Sequence, residues 1–150
     1  MGVSEDRVYC KVTCILVQWY SNLTSVVRWN SSLSYSFSVK SGVRQGGVLS
    51  PHLFAIYVDD LILSLRQLKV GCHIADLFVA CILYADDICL LAPSRSGLQL
   101  LLDTCESYGL SWCLSYNPSK SKVLHFGKDT FSPQIMMYGS SLNFTKEYKY

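Results

Sequence analysis

The sequence is short of charged residues and lacks the cysteine patterns that bind metal. Only 16% of its 150 residues are charged and 50% are hydrophobic, so the composition argues against a disordered chain. Its seven cysteines form no CxxC pair and follow no Cys/His ligand spacing, which argues against structural zinc. Their odd number, together with the absence of a signal peptide, predicts reduced thiols in a protein that is not secreted.

The sequence also lacks a stretch that could span a membrane. Its most apolar run, residues 77–92, is too short, and Asp86 and Asp87 interrupt it. Each carboxylate would cost roughly 2.5–3.5 kcal/mol at the centre of a bilayer, so we expect no membrane association. The net charge of +2 is too small to indicate a nucleic-acid partner by itself. The lysines from Lys120 onward fit either phosphate contacts or a solvated face, and both interpretations stay open.

Apolar spacing predicts helices that alternate with hairpins. The predicted helices cover residues 8–20, a segment that begins at Ser50-Pro51 and ends before Gly71, and a segment that Ser94 or Ser96 caps and Gly109 ends. The predicted strands cover residues 24–30, 35–39, a buried hairpin at 77–92, 112–116, 121–126, and a hairpin at 136–144. The apolar stripe of the second helix is predicted to contain Leu53, Phe54, Ile56, Tyr57, Leu61 and Leu65. This irregular alternation predicts an α+β fold, with helices packed on one face of an antiparallel sheet.

Two tetrapeptides of the form YxDD occur, YVDD at 57–60 and YADD at 84–87. Adjacent carboxylates on a rigid element can hold divalent cations, and paired cations can stabilise both oxygens of a phosphoryl transfer. The first tetrapeptide lies inside a predicted helix, where consecutive residues point about 100° apart, so Asp59 and Asp60 are expected to be ordinary surface charges. The second lies between the apolar runs VACIL and ICLLA, which predicts the turn of a hairpin. We therefore expect Asp86 and Asp87 to bind cations, with a polar turn of no function as the alternative.

Several motifs, taken in order, resemble the reverse transcriptases of non-LTR (LINE-like) retrotransposons. GVRQGGVLSPHLFAIYVDDL at 42–61 is similar to that family's template- and nucleotide-contacting loop and helix, and YADD to its catalytic hairpin. NPSKSKVLHFG at 117–127 is similar to the family's next motif, and VQWYSNLTSVVRWN at 17–30 to the stretch ahead of the loop. The final YKY resembles the start of the primer-grip segment. The resemblance implies a partial palm domain over 1–150, truncated at both ends, with a glycine-rich loop and helix at 42–70 and a catalytic hairpin at 77–92.

The resemblance further implies RNA-templated DNA synthesis, in which a primer 3′-hydroxyl attacks the α-phosphate of a deoxynucleoside triphosphate with two Mg²⁺ ions. Asp86 is implied as a catalytic metal ligand, and Asp87 as a second ligand or its support. Template and nucleotide contacts are implied for Arg44, Gln45, Gly46, Gly47, Ser50, Tyr84 and Ala85, and more weakly for Asn117, Lys120 and Lys122. The implied partners are an RNA template, a DNA primer and deoxynucleoside triphosphates, and the implied location is the nucleus and cytoplasm.

One element of the family pattern has no match in this sequence. In the family, an earlier strand supplies another aspartate within an AFD-like stretch, whereas Asp6 is the only aspartate before Asp59 and lies in SEDR. We therefore expect the fingers, the first catalytic Asp motif and the thumb to be absent, Mg²⁺ to bind weakly, and the polypeptide alone to be inactive and to self-associate. One alternative is a decayed or domesticated remnant that is inert or binds only RNA or protein. Another is an unrelated metal-dependent nucleotidyl-transfer domain, for which the RQGGVLSP match would be a coincidence.

Overall fold

The computed structural model of the chain describes residues 5–40, 42, 46–127 and 134–148, with side chains described from Cys10 onward. The chain divides into two compact units, Met1–Ser50 and Pro51–Tyr150, and each has its own local architecture. The described residues form three helices and a set of small two-stranded sheets, most of them antiparallel. The predicted α+β class is therefore confirmed.

The first unit contains one helix followed by a hairpin. Helix α1 covers Glu5–Ser21, as the apolar spacing predicts. The hairpin consists of four strand segments, β1 (Thr24–Ser25), β2 (Arg28–Trp29), β3 (Ser32–Leu33) and β4 (Phe37–Ser38). Strand β1 pairs antiparallel with β4, and β2 pairs antiparallel with β3. The two predicted strands and their short turn are therefore confirmed, although each strand is interrupted.

Helix α2 covers Ser50–Gln67, as the Ser50-Pro51 signal predicts, and all of it except Ser50 belongs to the second unit. Its buried face consists of Val58, Leu61 and Leu65, which are spaced at i, i+3 and i+7. The predicted stripe is wrong at Ile56, which is 72% exposed. Ile56 precedes Val58 by two residues, or about 200° around the helix, and so points away from the core.

Two successive hairpins follow α2. Strand β5 (His73–Ile74) pairs with β6 (Leu77–Phe78), and β7 (Cys81–Tyr84) pairs with β8 (Asp87–Leu90). The second hairpin, predicted to be buried, is only half-buried. Side chains alternate along each strand, so half of them face the core while Ile82 and Tyr84 are 55% and 70% exposed.

Helix α3 covers Arg95–Trp112, and the Ser94 Oγ accepts a hydrogen bond of 3.1 Å from the Gly97 N–H at its start. The prediction that Gly109 ends this helix is wrong, because the helix continues until Cys113, whose φ is 55°. Gly109 instead allows a close chain approach: a Cβ there would lie 2.6 Å from the Leu114 carbonyl oxygen. The Leu114 N–H donates to the Gly109 carbonyl at 2.9 Å.

The remaining strands are short. They are β9 (Lys122–Leu124), β10 (Met136–Met137), β11 (Ser140–Ser141) and β12 (Asn143–Thr145). Strands β10 and β11 form the predicted hairpin, and β12 pairs parallel with β9. The strand predicted at 112–116 is wrong, since residue 112 is helical and residues 113–116 form no strand. None of the helices in the described part of the chain has the length and apolar character to cross a membrane.

The second unit contains two clusters of buried side chains that both include α3. The first joins α2, the hairpins and α3 and contains Leu61, Leu65, Ala80, Leu101, Cys105 and Tyr108. The second joins α3 to the C-terminal strands and contains Leu102, Val123, Ile135, Met137 and Leu142. Helix α3 is therefore the element against which both the β7–β8 hairpin and the C-terminal strands pack.

Candidate functional site

The YADD tetrapeptide forms the turn of the β7–β8 hairpin. Tyr84 ends β7 opposite Asp87, which begins β8, so the turn consists of only Ala85 and Asp86. Ala85 has a φ of 52°, in the left-handed region that two-residue hairpin turns require of their first residue. Asp86 and Asp87 are both exposed. The turn therefore presents two adjacent carboxylates to solvent from a rigid element.

The core holds this hairpin by its inner face. Ile88 and Leu90 pack against the buried cluster that contains Leu101 and Cys105. Because side chains alternate, Tyr84 and Asp87 lie together on the opposite face. The apolar runs on both sides of the tetrapeptide thus fix which way its polar residues point.

The preceding β5–β6 hairpin has the same two residue types in its turn, but only one carboxylate. Ala75 and Asp76 connect β5 to β6, and Ala75 has a φ of 51°. This similarity was not among the predictions, although its sequence signal is the dipeptide Ala-Asp at both 75–76 and 85–86. The two turns can therefore be compared directly, because only the turn of the β7–β8 hairpin presents adjacent acids.

The other tetrapeptide, YVDD, lies in α2 and holds helices together. The Tyr57 hydroxyl donates to the Trp112 carbonyl, and the Tyr57 carbonyl accepts a hydrogen bond of 2.5 Å from the Tyr108 hydroxyl. The rings of Tyr57 and Trp112 meet edge to face with centroids 5.6 Å apart. Asp59 and Asp60 are exposed on the helix, as predicted for surface charges. The local sequence does not predict this tyrosine contact, because the two partners of Tyr57 are about fifty residues away along the chain.

The glycine-rich loop is described only in part. Arg44 and Gln45 lie outside the described residues. Gly46 has a φ of 76°, and a Cβ added there would meet nothing within 4 Å, so the turn itself requires glycine at this position. The Ser50 N–H donates to the Gly47 carbonyl at 3.1 Å, and Ser50 is buried at the start of α2.

Asn117 organises the turn ahead of β9. Its Oδ1 accepts hydrogen bonds from the Ser119 N–H at 3.0 Å, from the Ser119 hydroxyl at 2.7 Å and from the Lys120 N–H at 3.3 Å. The Lys122 ammonium donates to the Ser119 carbonyl at 3.2 Å, and both lysines are exposed. The geometry therefore gives Asn117 a structural role and leaves the two lysines at the surface.

The donors near the hairpin turn suit a hard cation. Carboxylate oxygens are the protein ligands that Mg²⁺ prefers, and it completes its octahedron with water and substrate phosphates. Burial, followed by the neighbouring Cys89 thiol, raises the pKa of Cys81 to about 11, so this thiol stays protonated at neutral pH. Among the described residues, no three His, Cys, Asp or Glu side chains are placed to hold one metal ion. Asp86 and Asp87 fit Mg²⁺ by ligand type but supply only part of a coordination sphere.

Comparison with known proteins identifies the family of this α+β chain. A family model described as reverse transcriptase (RNA-dependent DNA polymerase) matches residues 4–150. The chain belongs to the reverse transcriptase family. The match excludes the alternative of an unrelated domain with a coincidental loop sequence.

Curated relatives come from mobile elements. The RNA-directed DNA polymerase from the mobile element jockey of Drosophila funebris is 30% identical over 139 residues, which cover 88% of this chain and 15% of that protein. The probable RNA-directed DNA polymerase from transposon BS of Drosophila melanogaster is 32% identical over 126 residues, covering 79% of this chain and 13% of that protein. The Pol polyprotein of the type-2 retrotransposable element R2DM is 37% identical over 75 residues, covering 50% of this chain and 7% of that protein. The predicted resemblance to non-LTR retrotransposon reverse transcriptases is confirmed, and the chain spans a small part of these relatives' length.

Proposed function

We propose that this chain is the part of an RNA-directed DNA polymerase that carries the acidic hairpin for two-metal nucleotidyl transfer. The single observation that supports this most is the position of Asp86 and Asp87 at the turn of the β7–β8 hairpin. Asp86 is the proposed metal ligand, and Asp87 is the second ligand or its support. The proposed partners of the activity are an RNA template, a DNA primer and deoxynucleoside triphosphates, and the description of the relatives as RNA-directed DNA polymerases supports the RNA template.

The chain's own residues supply binding and positioning in this proposal. When bound, Mg²⁺ supplies charge neutralisation for the attacking and leaving oxygens of the phosphoryl transfer. Tyr84 and Ala85 flank the proposed primer end, and the outward direction of Tyr84, on the same face as Asp87, supports that assignment. The loop Arg44–Gly47 is proposed to contact the templating base pair, with Ser50 supporting it from the start of α2. Lys120 and Lys122 are proposed as contacts for nucleic acid or for the leaving pyrophosphate, and their exposure supports this.

We propose that the 150-residue polypeptide by itself does not polymerise. Two divalent cations carry four positive charges, and Asp86 with Asp87 offset two of them. Fewer carboxylate ligands weaken binding of a hard cation and leave its geometry loose. Primer extension on an RNA template with Mg²⁺ should therefore give no product. Extension that Asp86→Ala abolishes would contradict this part of the proposal.

The cation site itself is tested without activity. Mn²⁺ added to ¹⁵N-labelled protein broadens amide resonances near its ligands, and we expect broadening at residues 84–87 that Asp86→Ala removes. Asp76→Ala is the matched control, because Asp76 occupies the same turn position in the β5–β6 hairpin without a second acid. It should leave the broadening at residues 84–87 unchanged. Equal broadening at both turns, or none at residues 84–87, would refute the cation site.

A further inference from the structure

The hairpin of residues 24–39, here called the aromatic hairpin, exposes three ring side chains. Trp29 is 78% exposed, Tyr35 is 97% exposed and Phe37 is 49% exposed. Aromatic residues normally bury much of their large surface, so three of them outside a core on one short hairpin indicate a binding surface. The reverse-transcriptase chemistry proposed above involves none of these three residues.

The strand pairing determines how these rings are arranged. Phe37 lies opposite Ser25, and side chains two residues apart share a face, so Val27 and Trp29 lie on the same face as Phe37. The register differs by one residue between the pairs Ser25–Phe37 and Arg28–Leu33, which defines a β-bulge at residues 34–36. A bulge redirects a side chain, and Tyr35 lies within this one. The hairpin therefore presents an apolar stripe and one separately projected ring.

Hydrogen bonds hold the backbone of the aromatic hairpin. The Val27 N–H donates to the Ser34 hydroxyl at 2.9 Å, and the Ser34 N–H donates to the Val27 carbonyl at 2.9 Å. At the tip, the Arg28 Nε donates to the carbonyl of Asn30, whose φ is 53°. Hydrogen bonds within the hairpin therefore order the backbone that carries the exposed rings. This order lowers the conformational entropy that is lost when the rings bind a partner.

Charge indicates what kind of partner fits this surface. No Asp or Glu occurs from residue 7 to residue 58, and the first 50 residues contain five Lys or Arg against two acids. The remaining 100 residues contain eight Lys or Arg against nine acids, so the positive charge of the chain is concentrated in its first third. A polyanion complements this charge, whereas the same positive surface on a second copy would be repelled. Exposed rings next to cationic residues are the features that bind unpaired bases and their phosphates.

We propose that the aromatic hairpin binds single-stranded nucleic acid, with Trp29 and Tyr35 stacking on bases, and with Arg28 and the exposed Lys40, which directly follows the hairpin, contacting phosphates. Base stacking is tolerant of sequence because every base has an aromatic face, so the surface should bind RNA and DNA strands of different sequence. This surface is separate from Asp86 and Asp87 in the chain, and its binding does not depend on them. Such binding would add a nucleic-acid contact to the proposed function. A test can refute this contact without refuting the cation site.

The test measures binding of the 150-residue chain to fluorescently labelled oligonucleotides by anisotropy. The probes are oligo(U) and oligo(dT) of about 16 nucleotides, the upper site size of a single-strand-binding domain, and a duplex of the same length. The double variant Trp29→Ser/Tyr35→Ser should weaken binding to both single strands by at least about tenfold, because each stacked ring contributes measurably. The matched control is Phe126→Ser, which removes another exposed ring and should leave binding unchanged.

A second pair of variants tests the electrostatic contact. Arg28→Gln should reduce the slope of log K against log salt by about 0.7, the value for one phosphate contact on a single strand. The exposed Arg66→Gln, in the other unit, should leave the slope unchanged. Circular dichroism of each variant establishes that loss of binding does not reflect loss of the fold.

Three outcomes would overturn the proposal. The first is a wild-type chain that does not bind single strands, and the second is a Trp29→Ser/Tyr35→Ser variant that binds as tightly as Phe126→Ser. The third is a dimer in sedimentation that the double variant converts to monomer, which would assign the surface to a second copy of the chain. Oligonucleotide binding is measured without metal. Each of these results therefore leaves the Mn²⁺ test of the cation site at Asp86 unaffected.

Discussion

Replacing Ala85 with glycine should stabilise the protein, even though glycine usually destabilises ordered structure. Ala85 has a φ of 52°, and an L-residue in the left-handed region costs roughly 1–2 kcal/mol. Glycine removes that cost but loses about 0.5–1 kcal/mol more in chain entropy on folding. Taking the middle of each range, the net expected gain is about 0.75 kcal/mol, which corresponds to a rise in melting temperature of about 1.5–3 °C for a chain of this size.

Two control substitutions separate this effect from a general effect of glycine. Ala75→Gly should stabilise by a similar amount, because Ala75 occupies the equivalent turn position with a φ of 51°. Ala55→Gly, at an exposed position inside α2, should destabilise by about 1 kcal/mol. The measurement is urea unfolding followed by circular dichroism. If Ala85→Gly lowered the midpoint as Ala55→Gly does, the assignment of backbone strain to the acidic turn would be wrong.

Two further predictions concern α3. Gly109→Ala should destabilise the protein by about 1–2 kcal/mol despite the higher helix propensity of alanine, since the new Cβ would lie 2.6 Å from the Leu114 carbonyl oxygen. The exposed Ser111→Ala, in the same turn of helix, should be neutral or slightly stabilising in the same urea assay. Burial, followed by the Cys81 thiol, raises the pKa of Cys105 from 9.0 to about 12, so the folded state holds this proton more tightly than the unfolded state. Folding stability should therefore fall as pH rises from about 9 towards 12, and Cys105→Ala should flatten that fall; an unchanged pH profile would refute the assignment.

The sequence predicts those helices and turns that are determined by residues close together in the chain. Helix α1 follows from apolar spacing, α2 from Ser50-Pro51, and the cap of α3 from Ser94. The features it does not predict depend on residues distant in the chain. Gly109 reads as a helix end, yet it lies inside α3, where an added Cβ would lie 3.2 Å from the hydroxyl of the distant Tyr138. The parallel pairing of β9 with β12 likewise joins segments about twenty residues apart, and no local pattern encodes which strands meet.

The candidate site shows the same division between local and distant information. The β-hairpin turn at YADD follows from the apolar runs on either side, so the sequence predicts where Asp86 and Asp87 lie. The sequence predicts a buried hairpin, whereas only one of its faces is buried, because an apolar run does not reveal whether one or both faces contact a core. Ile82 and Tyr84 belong to such a run and are mostly exposed.

The two YxDD tetrapeptides show why a short motif has no fixed function. Both consist of a tyrosine, a small or branched residue and two acids, yet one turns a hairpin and the other continues a helix. The difference comes from their neighbours: strand-forming runs flank Tyr84, whereas the helix start at Ser50-Pro51 precedes Tyr57 by seven residues. In the hairpin, the turn presents both acids to solvent from one point, while in the helix the successive acids point about 100° apart. Tyr57 instead contacts the end of α3 through Trp112 and Tyr108, so one YxDD tetrapeptide supports the fold and the other carries the candidate chemistry.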